Sequence, residues 1–260
     1  VKVDTVLTHD ETVVEQLFFE IQKHERNTAL LALFEHYQPG NAMVFCNTKK
    51  QCAEVAAFLQ EHDIEAAAIH GDLDQRDRDQ VLLQFTNNTC PVLVASDVAA
   101  RGLDIPALAM VVNFELPRDG DTYVHRIGRT GRAGETGQAF SLVTPSEAPR
   151  LRVIEDHLQI NCLCDVLESL NRNPNYQLQG DMATLQLDAG RKQKLRPGDI
   201  LGALTGDAGL AGDQIGKIKI LDNSSYVAIV RSALRQAMNY LAQGKIKGRS
   251  IRVRRLKLHR

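Results

Sequence analysis

The sequence predicts two domains of different fold class, an α/β domain with a parallel sheet and then a small α+β domain. The first prediction depends on short, continuously apolar strands that alternate with helical patterns, which is typical of a parallel sheet covered on both faces. The second depends on the spacing of apolar residues, which changes after the turn-rich residues 171–180. We interpret these residues as a linker. We therefore predict domains at residues 1–170 and 181–260.

In the first domain, polar residues follow the predicted strands. Asn47 and Thr48 come directly after one apolar strand, and Ser96 and Asp97 after another. Because parallel sheets bind ligands at the carboxyl ends of their strands, we expect a functional site at this edge. The predicted strands are residues 14–21, 42–45, 66–69, 91–95, 109–114 and 138–143, with helices beginning at Thr28, Lys49 and Arg76.

In the second domain, the predicted order is strand, helix, strand, strand, helix, strand. This order is the split βαβ pattern that RNA-recognition domains share. The predicted strands are residues 184–187, 215–221, 226–229 and 251–256, and the helices begin at Pro197 and Ser232.

Charge divides the chain in the same way. Residues 180–260 contain sixteen Lys and Arg against six Asp and no Glu, whereas residues 1–179 contain fifteen basic and twenty-six acidic side chains. An acidic domain joined to a basic one predicts different partners, with nucleic acid as the partner of the basic domain.

Bulk features exclude a membrane protein and a disulfide scaffold. The sequence has no apolar run of membrane-spanning length and no signal peptide. Its five cysteines lack zinc-type spacing and indicate reduced thiols, so we predict a cytoplasmic protein. The chain begins with Val1, from which we expect a piece of a longer protein.

Residues 123–132 (Tyr-Val-His-Arg-Ile-Gly-Arg-Thr-Gly-Arg) concentrate basic side chains between glycines. We predict a helix with Asp121 as its N-cap and Gly128 as its stop. Arg126 then lies on the last helical turn, with Arg129 and Arg132 on the loop beyond it. Guanidinium groups pair with phosphate oxygens, so a polyphosphate is the expected partner.

Three segments resemble motifs of the DEAD-box RNA helicases. Residues 125–132 resemble motif VI, residues 94–104 (Val-Ala-Ser-Asp-Val-Ala-Ala-Arg-Gly-Leu-Asp) resemble motif V, and residues 45–48 resemble motif IV. The resemblance covers about residues 15 to 160 and implies the second RecA-like domain of such a helicase.

The resemblance also implies roles for individual residues. Arg129 and Arg132 resemble the arginine fingers that offset charge on the transferred γ-phosphate. The implied ATP-binding residues are Gly102, Asp104, Arg126, Arg129 and Arg132. The implied contacts to the partner domain are His125 and Arg126. The implied contacts to RNA are Asn47, Thr48, Arg78, Ser96 and Arg101.

No phosphate-binding Gly-x-x-x-x-Gly-Lys-Ser/Thr loop and no Asp-Glu-Ala-Asp sequence occurs in the chain. ATP with Mg²⁺ is therefore expected to be bound mainly by a first RecA-like domain preceding Val1, and this chain alone should be inactive.

Strand alternation in the second domain predicts a basic outer face with one aromatic ring. Residues 223–229 resemble a degenerate RNP1 motif that keeps Tyr226, and a helicase core followed by such an RRM-like domain resembles the bacterial DbpA group. That group implies structured RNA as the partner, a hairpin of 23S ribosomal RNA in the pre-ribosomal large subunit, and a role in ribosome assembly. The expected RNA-binding residues are Gln186, Lys217, Lys219, Tyr226, Lys245, Lys247, Arg252 and Arg254.

Two other classes of protein remain alternatives. One is a non-enzymatic RNA-binding adaptor that keeps the RecA-like fold as a scaffold, which loss of Arg129 or Arg132 would have favoured. The other is a nucleotide-dependent enzyme of the Rossmann type, but no Gly-x-Gly-x-x-Gly follows a predicted strand.

Overall fold

The computed structural model describes residues 3–7, 12–105, 107–131 and 137–258. It divides into two compact units. The first contains the described residues up to 81 together with 91–178, and the second contains residues 82–90, which include the end of a helix, together with 179–258. Among the described residues, no helix is long and apolar enough to cross a membrane.

The first unit is built on an eight-stranded sheet in the order β1-β2-β7-β6-β3-β5-β4, with β8 pairing alongside β2. Among the strands that the structure describes, only the β1–β2 pairing is antiparallel, and the predicted parallel sheet is confirmed. Strand β1 was not predicted. The strands are β1 (Val3–Leu7), β2 (Thr12–Glu20), β3 (Ala42–Phe45), β4 (Ala66–Ile69), β5 (Val92–Ala95), β6 (Met110–Asn113), β7 (Gly137–Val143) and β8 (Cys164–Asp165).

Helices accompany this sheet as the alternating pattern predicts. Every residue of β3, β5 and β6 is buried, which explains why these strands are apolar without interruption. The helices are α1 (Arg26–Tyr37), α2 (Lys49–Glu61), α3 (Gln75–Thr86), α4 (Asp97–Ala100), α5 (Gly120–Ile127) and α6 (Ala148–Leu158).

A buried arginine at the start of α1 joins distant segments of the first unit. Arg26 is 8% exposed and donates hydrogen bonds to the Leu142 carbonyl and the Thr144 hydroxyl, both at 3.3 Å. It also bonds the Phe114 carbonyl and forms an ion pair with Glu147. Such a charge is tolerated in the interior because its donors have partners there.

Residues 171–178, predicted as part of a linker, are packed on the first unit. The Arg172 guanidinium lies 2.6 Å from the Glu35 carboxylate, and the Tyr176 hydroxyl donates to the Pro39 carbonyl at 2.7 Å. Leu178 is 7% exposed and belongs to the main apolar core. These contacts attach the segment to the first unit, and the boundary between the two units falls after Leu178.

The second unit has the predicted split βαβ order. Its four-stranded antiparallel sheet runs in the order β10-β11-β9-β12. Apolar residues at alternate positions, such as Leu185 and Val227, face the core against α7 and α8 as predicted. The elements are β9 (Met182–Leu187), α7 (Pro197–Gly202), β10 (Ile215–Ile220), β11 (Ser225–Val230), α8 (Leu234–Gln243) and β12 (Val253–Arg255).

The packing of residues 171–178 leads to a stability prediction. Leu178→Ala should lower the free energy of unfolding of the first unit by about 2–5 kcal/mol, the usual cost of truncating a buried leucine. Urea denaturation measures this change. Gln177→Ala, at the exposed neighbouring position, is the control and should change stability by less than about 0.5 kcal/mol. Equal effects of the two substitutions would contradict the packing described.

Candidate functional site

Helix α5 places the candidate site at the carboxyl edge of the sheet. Its N-cap is Asp119, whose carboxylate accepts from the Thr122 backbone N–H at 2.8 Å. This hydrogen bond holds the pKa of Asp119 below its usual value. The prediction of Asp121 as N-cap is therefore wrong by two positions, since Asp121 lies in the first turn. Gly128 follows the last turn, as predicted.

The Arg126 side chain is the centre of the site and is 1% exposed. Its guanidinium donates to both carboxylate oxygens of Asp97, at 2.7 and 2.8 Å. It also donates to the side-chain oxygens of Asn47 and Asn113, at 3.0 and 3.1 Å, and to the Glu115 carbonyl at 2.7 Å. These bonds use all five N–H groups that a guanidinium has. The buried Arg126 side chain therefore joins the three segments that resemble motifs IV, V and VI.

This arrangement gives Arg126 a structural role, and the ATP-binding and interdomain roles expected for it stay predictions. The expected ATP-binding and interdomain contacts need donors that reach outward, and here every donor is used inside the first unit. The carboxylate of Asp97 holds the guanidinium inward, because a bidentate pair of charge-assisted hydrogen bonds is stronger than neutral hydrogen bonds. His125, the neighbour that shares the interdomain expectation, is exposed.

Motif IV supplies structural contacts in this geometry. The Asn47 amide Nδ2 donates to the Leu116 carbonyl at 3.1 Å, while Oδ1 accepts from Arg126. Thr48 is the N-cap of α2 and accepts from the Gln51 backbone N–H at 3.2 Å. The Asn47 side chain therefore binds inside the first unit, and the RNA contacts expected of Asn47 and Thr48 stay predictions.

Three residues expected to contact RNA lie around the short helix α4. Ser96 precedes the helix and Arg101 follows it as an exposed residue. Arg78 donates to the Ala99 carbonyl at 2.7 Å, which fixes its guanidinium beside the same helix. The structure thus brings Arg78, Ser96 and Arg101 together.

The loop after α5 carries Arg129. Its guanidinium donates to the Leu103 carbonyl at 3.0 Å, next to the exposed residues Gly102 and Asp104. Gly102 has a φ of +69°, in the left-handed region that favours glycine. Arg132 lies outside the described residues. The structure therefore places Gly102, Asp104 and Arg129 together.

Close backbone contact also requires glycine near this loop. A Cβ atom on Gly137 would lie 2.2 Å from the backbone nitrogen of Gly131, which itself has a φ of +66°. Any side chain at position 137 would displace the Arg129 loop, so the glycines there serve the site geometry.

The cavity at this site is much smaller than a nucleotide. It has a volume of about 30 Å³, and Asp97, Arg126 and Arg129 are among the residues that line it. Ligand pockets usually measure about 300–1,000 Å³. The first unit therefore presents a surface with functional groups on it, and a nucleotide needs a further surface to be enclosed.

Burial raises the pKa values of two cysteine thiols of the first unit. Burial raises the pKa of Cys46 well above its ordinary value, and a hydrogen bond with Cys52 acts in the same direction. Burial likewise raises the pKa of Cys162 to about 12. These groups stay protonated at neutral pH, as predicted for reduced structural thiols.

In the second unit, the outer sheet face is covered, which corrects the expectation of an open RNA-binding face. Gln186 and Tyr226 are 3% and 4% exposed. Residues 82–90 lie against this sheet: the Thr89 hydroxyl bonds the Thr184 hydroxyl at 2.8 Å, and the Thr86 carbonyl accepts from Lys217 at 3.1 Å.

Basic residues remain exposed around the covered centre. Cross-strand pairing aligns Lys219, Tyr226, Gln186 and Arg254 in one row over four strands. The two basic ends of this row are exposed while its two central residues are buried. Of the other expected residues, Lys245, Lys247 and Arg252 are exposed as well.

Comparison with known proteins identifies the family. A model described as the helicase conserved C-terminal domain matches residues 25–134, and a DbpA RNA binding domain model matches residues 184–255. The solved E. coli DEAD-box protein SrmB, bound to regulator of ribonuclease activity A, is 36% identical with a TM-score of 0.56. This match covers 64% of our chain and 96% of that chain. The chain belongs to the DEAD-box family of RNA helicases.

Within the DEAD-box family, the chain is similar to proteins of the DbpA type, as the sequence predicted. It is 48% identical to the ATP-dependent RNA helicase DbpA of Escherichia coli (strain K12) over 94% of its own length and 53% of that protein. It is 30% identical to DbpA of Bacillus subtilis (strain 168) over 92% of its length and 54% of that protein. The chain thus spans about half the length of these relatives.

Sequence reasoning missed several residues that organise this DEAD-box site. Asp97 stands inside the motif V segment, so its pairing with a motif VI arginine could have been suspected. Asn113 ends a predicted strand, which was a weaker signal. Glu115, which accepts from the Asn47 backbone N–H at 3.1 Å, carried no signal because nothing local marks it as a partner.

The Arg126 network leads to a second prediction. Arg126→Ala should lower the free energy of unfolding of the first unit by about 3–5 kcal/mol, because the side chains of Asn47, Asp97 and Asn113 would lose the charged donor that joins them. Chemical denaturation of the 260-residue chain measures this. Arg101→Ala, at an exposed position, should cost less than about 0.5 kcal/mol. A loss at Arg126 no larger than at Arg101 would show that the network is not structural.

Proposed function

We propose that this chain acts as part of an ATP-dependent RNA helicase. Its first unit supplies one wall of the nucleotide site and contacts to the RNA backbone, and its second unit binds structured RNA. The observation that carries this proposal is the buried Arg126 network, since it holds the motif V and motif VI segments side by side at one edge of the sheet. The names of the two DbpA relatives support the same activity.

On the nucleotide wall, Arg129 acts as an arginine finger together with Arg132. Its loop leaves α5 directly after the buried Arg126, so a rigid helix end sets its position. A guanidinium there offsets charge that develops on the γ-phosphoryl group during its transfer. Asp104 is exposed beside the loop, and its carboxylate can accept hydrogen bonds from ribose hydroxyls.

Binding of ATP and Mg²⁺ needs residues of a second domain in addition to those of the first unit. Among the described residues, no group of three or more His, Cys, Asp or Glu could hold a metal ion. Because the sequence contains neither the phosphate-binding loop nor Asp-Glu-Ala-Asp, the phosphate-binding lysine and the acidic Mg²⁺ ligand of this class of enzyme are assigned to a first RecA-like domain. His125 is exposed at the end of α5 and is the proposed contact to that domain.

The RNA backbone contacts of the first unit are Arg78, Ser96 and Arg101. A hydroxyl and two guanidinium groups around α4 suit phosphate binding that ignores base sequence. Thr48 lies on a neighbouring strand end as a further contact.

The second unit brings the helicase to its RNA. Its match to the DbpA RNA binding domain and its excess of basic residues support structured RNA as the ligand. As the resemblance to the DbpA group implies, we propose a hairpin of 23S ribosomal RNA in the pre-ribosomal large subunit, and a role in ribosome assembly in the cytoplasm.

Removal of the arginine finger tests the proposed activity. In the full-length protein, Arg129→Ala should lower RNA-stimulated ATP hydrolysis by about 10³- to 10⁵-fold, since that is the usual contribution of such a residue. Arg129→Lys should not restore the rate, because an ammonium group lacks the planar fork. Steady-state phosphate release measures both variants.

The matched control is Arg152→Ala, an exposed arginine of α6 in the same unit. It should keep the parent rate, and binding of hairpin RNA should be unchanged in all three variants. An Arg129 variant that hydrolyses ATP within a few-fold of the parent would refute the assignment.

The 260-residue chain by itself should not hydrolyse ATP and should bind it weakly. The reason is that the chain contains neither the phosphate-binding loop nor the Asp-Glu-Ala-Asp sequence. Phosphate release and fluorescent-nucleotide titration of the purified chain, with and without RNA, measure this. RNA-stimulated turnover by the chain alone would contradict the division of the site between two domains.

A further inference from the structure

Two neighbouring loops of the second unit concentrate positive charge away from the covered sheet face. They are residues 192–196, which precede α7, and residues 245–249, which follow α8; we call them the basic loop pair. All their basic side chains are exposed: Lys192, Lys194, Arg196, Lys245, Lys247 and Arg249. A carboxylate near them, Asp199, lies 3.3 Å from the Lys247 ammonium group. The surface therefore keeps a strong excess of positive charge.

The two loops are joined to each other and anchored in the core. The Lys247 ammonium group donates to the Lys194 carbonyl at 3.3 Å, and the Arg249 guanidinium donates to the Gln193 carbonyl at 3.4 Å. Leu195 and Ile246, one from each loop, are both 5% exposed and belong to the core of the unit. The charges are thus held on a fixed frame, so binding does not have to order the loops.

A tight turn fixes the second loop further. Ile246 and Arg249 exchange backbone hydrogen bonds at 2.9 and 3.1 Å, and the two residues between them, Lys247 and Gly248, have φ values of +52° and +75°. Positive φ at both central positions is the geometry of a two-residue hairpin loop of the I′ type. Lys247 therefore stands at the tip of a rigid hairpin.

The alternative RNA surface of this unit is closed at its centre. Base stacking on the sheet needs accessible rings and polar side chains, but Tyr226 and Gln186 are buried. Residues 82–90 add hydrogen bonds across this face, including two from the Gln84 amide to the Leu256 and Lys257 carbonyls at 3.4 and 3.0 Å. Only the edges of the face can meet a ligand without breaking these bonds.

We propose that the basic loop pair is the surface on which the second unit holds the phosphate backbone of structured RNA. This inference rests on the proposed function and relocates its RNA site from the sheet to the loops. Lysine and arginine side chains on a rigid frame bind phosphates and read the shape of a folded RNA, whereas stacking on the sheet would read single-stranded bases. Lys192, Lys194, Arg196 and Arg249 become RNA-binding residues that the sheet pattern did not indicate.

Two triple variants of equal charge separate the loops from the sheet. The loop variant carries Lys192→Gln, Arg196→Gln and Lys245→Gln, and it keeps Lys247 and Arg249 because they join the loops. The sheet variant carries Lys219→Gln, Arg252→Gln and Arg254→Gln. The affinity of the full-length protein for a synthetic stem–loop RNA is measured over a series of salt concentrations. Thermal unfolding of each variant shows that the second unit is folded.

The loop variant should bind at least about tenfold more weakly at low salt. Its slope of log affinity against log salt should be shallower by about 2, since each phosphate contact contributes about 0.7 to 0.9. The sheet variant should change the slope by less than about 1. In an NMR titration of the unaltered protein with the same RNA, the amide signals of residues 192–196 and 245–249 should shift more than those of residues 217–219.

The outcomes distinguish failure of this inference from failure of the proposed function. Equal slopes for the loop variant and the unaltered protein, or a larger change in the sheet variant, overturn the inference and return the RNA to the sheet edges. Equal losses of RNA affinity in both variants overturn it too, because they indicate that the positive charge of the whole unit, and no particular surface, attracts the RNA. If the unaltered protein binds the stem–loop no better than an unpaired RNA of the same composition, structured RNA is not the ligand, and the proposed function itself fails.

Discussion

The buried guanidinium of Arg126 is the interaction on which the functional edge of the first unit depends. It is a charge in the interior, and its desolvation is offset because five acceptor atoms, from four residues at the carboxyl ends of β3, β5 and β6, meet it. Removing any acceptor leaves an N–H group of Arg126 buried without a partner. The positions of Asn47, Asp97 and the Arg129 loop are therefore mutually dependent, and the site behaves as one cooperative network rather than as separate motifs.

In the second unit, the sheet face on which RNA-recognition domains usually bind RNA is covered by residues 82–90. Strands β9 and β11 are buried on both sides, with the core on one side and residues 82–90 on the other. A sheet in that position no longer needs aromatic rings for stacking. This explains physically why Gln186 stands at a position where RNA-recognition domains usually carry an aromatic residue, and why positive charge is found on the loops.

Local sequence patterns were sufficient to predict the strands and the core residues. They failed to predict the burial and direction of side chains that depend on contacts between residues far apart in the sequence. Continuous apolar runs predicted the parallel strands, and alternation predicted the core residues of the small sheet, because both patterns report burial directly. Burial of Tyr226 depends on residues 82–90, which are far away in sequence, so alternation could not reveal it. The inward direction of Arg126 depends likewise on Asp97 and Glu115. The composition of residues 171–180 likewise did not reveal the contact between Arg172 and Glu35, which attaches this segment to the first unit.

Strand β4 lies at an edge of the large sheet, and its short length bears on self-association. Unpaired strand edges recruit other chains, and proteins usually shorten or cover them. Here the strand has four residues, Leu178 forms a bridge with Ile64 just before it, and the Gln60 amide donates to the Ala66 carbonyl at 2.7 Å. The segment that packs on the first unit therefore also shields this edge, and its detachment would expose a template for aggregation.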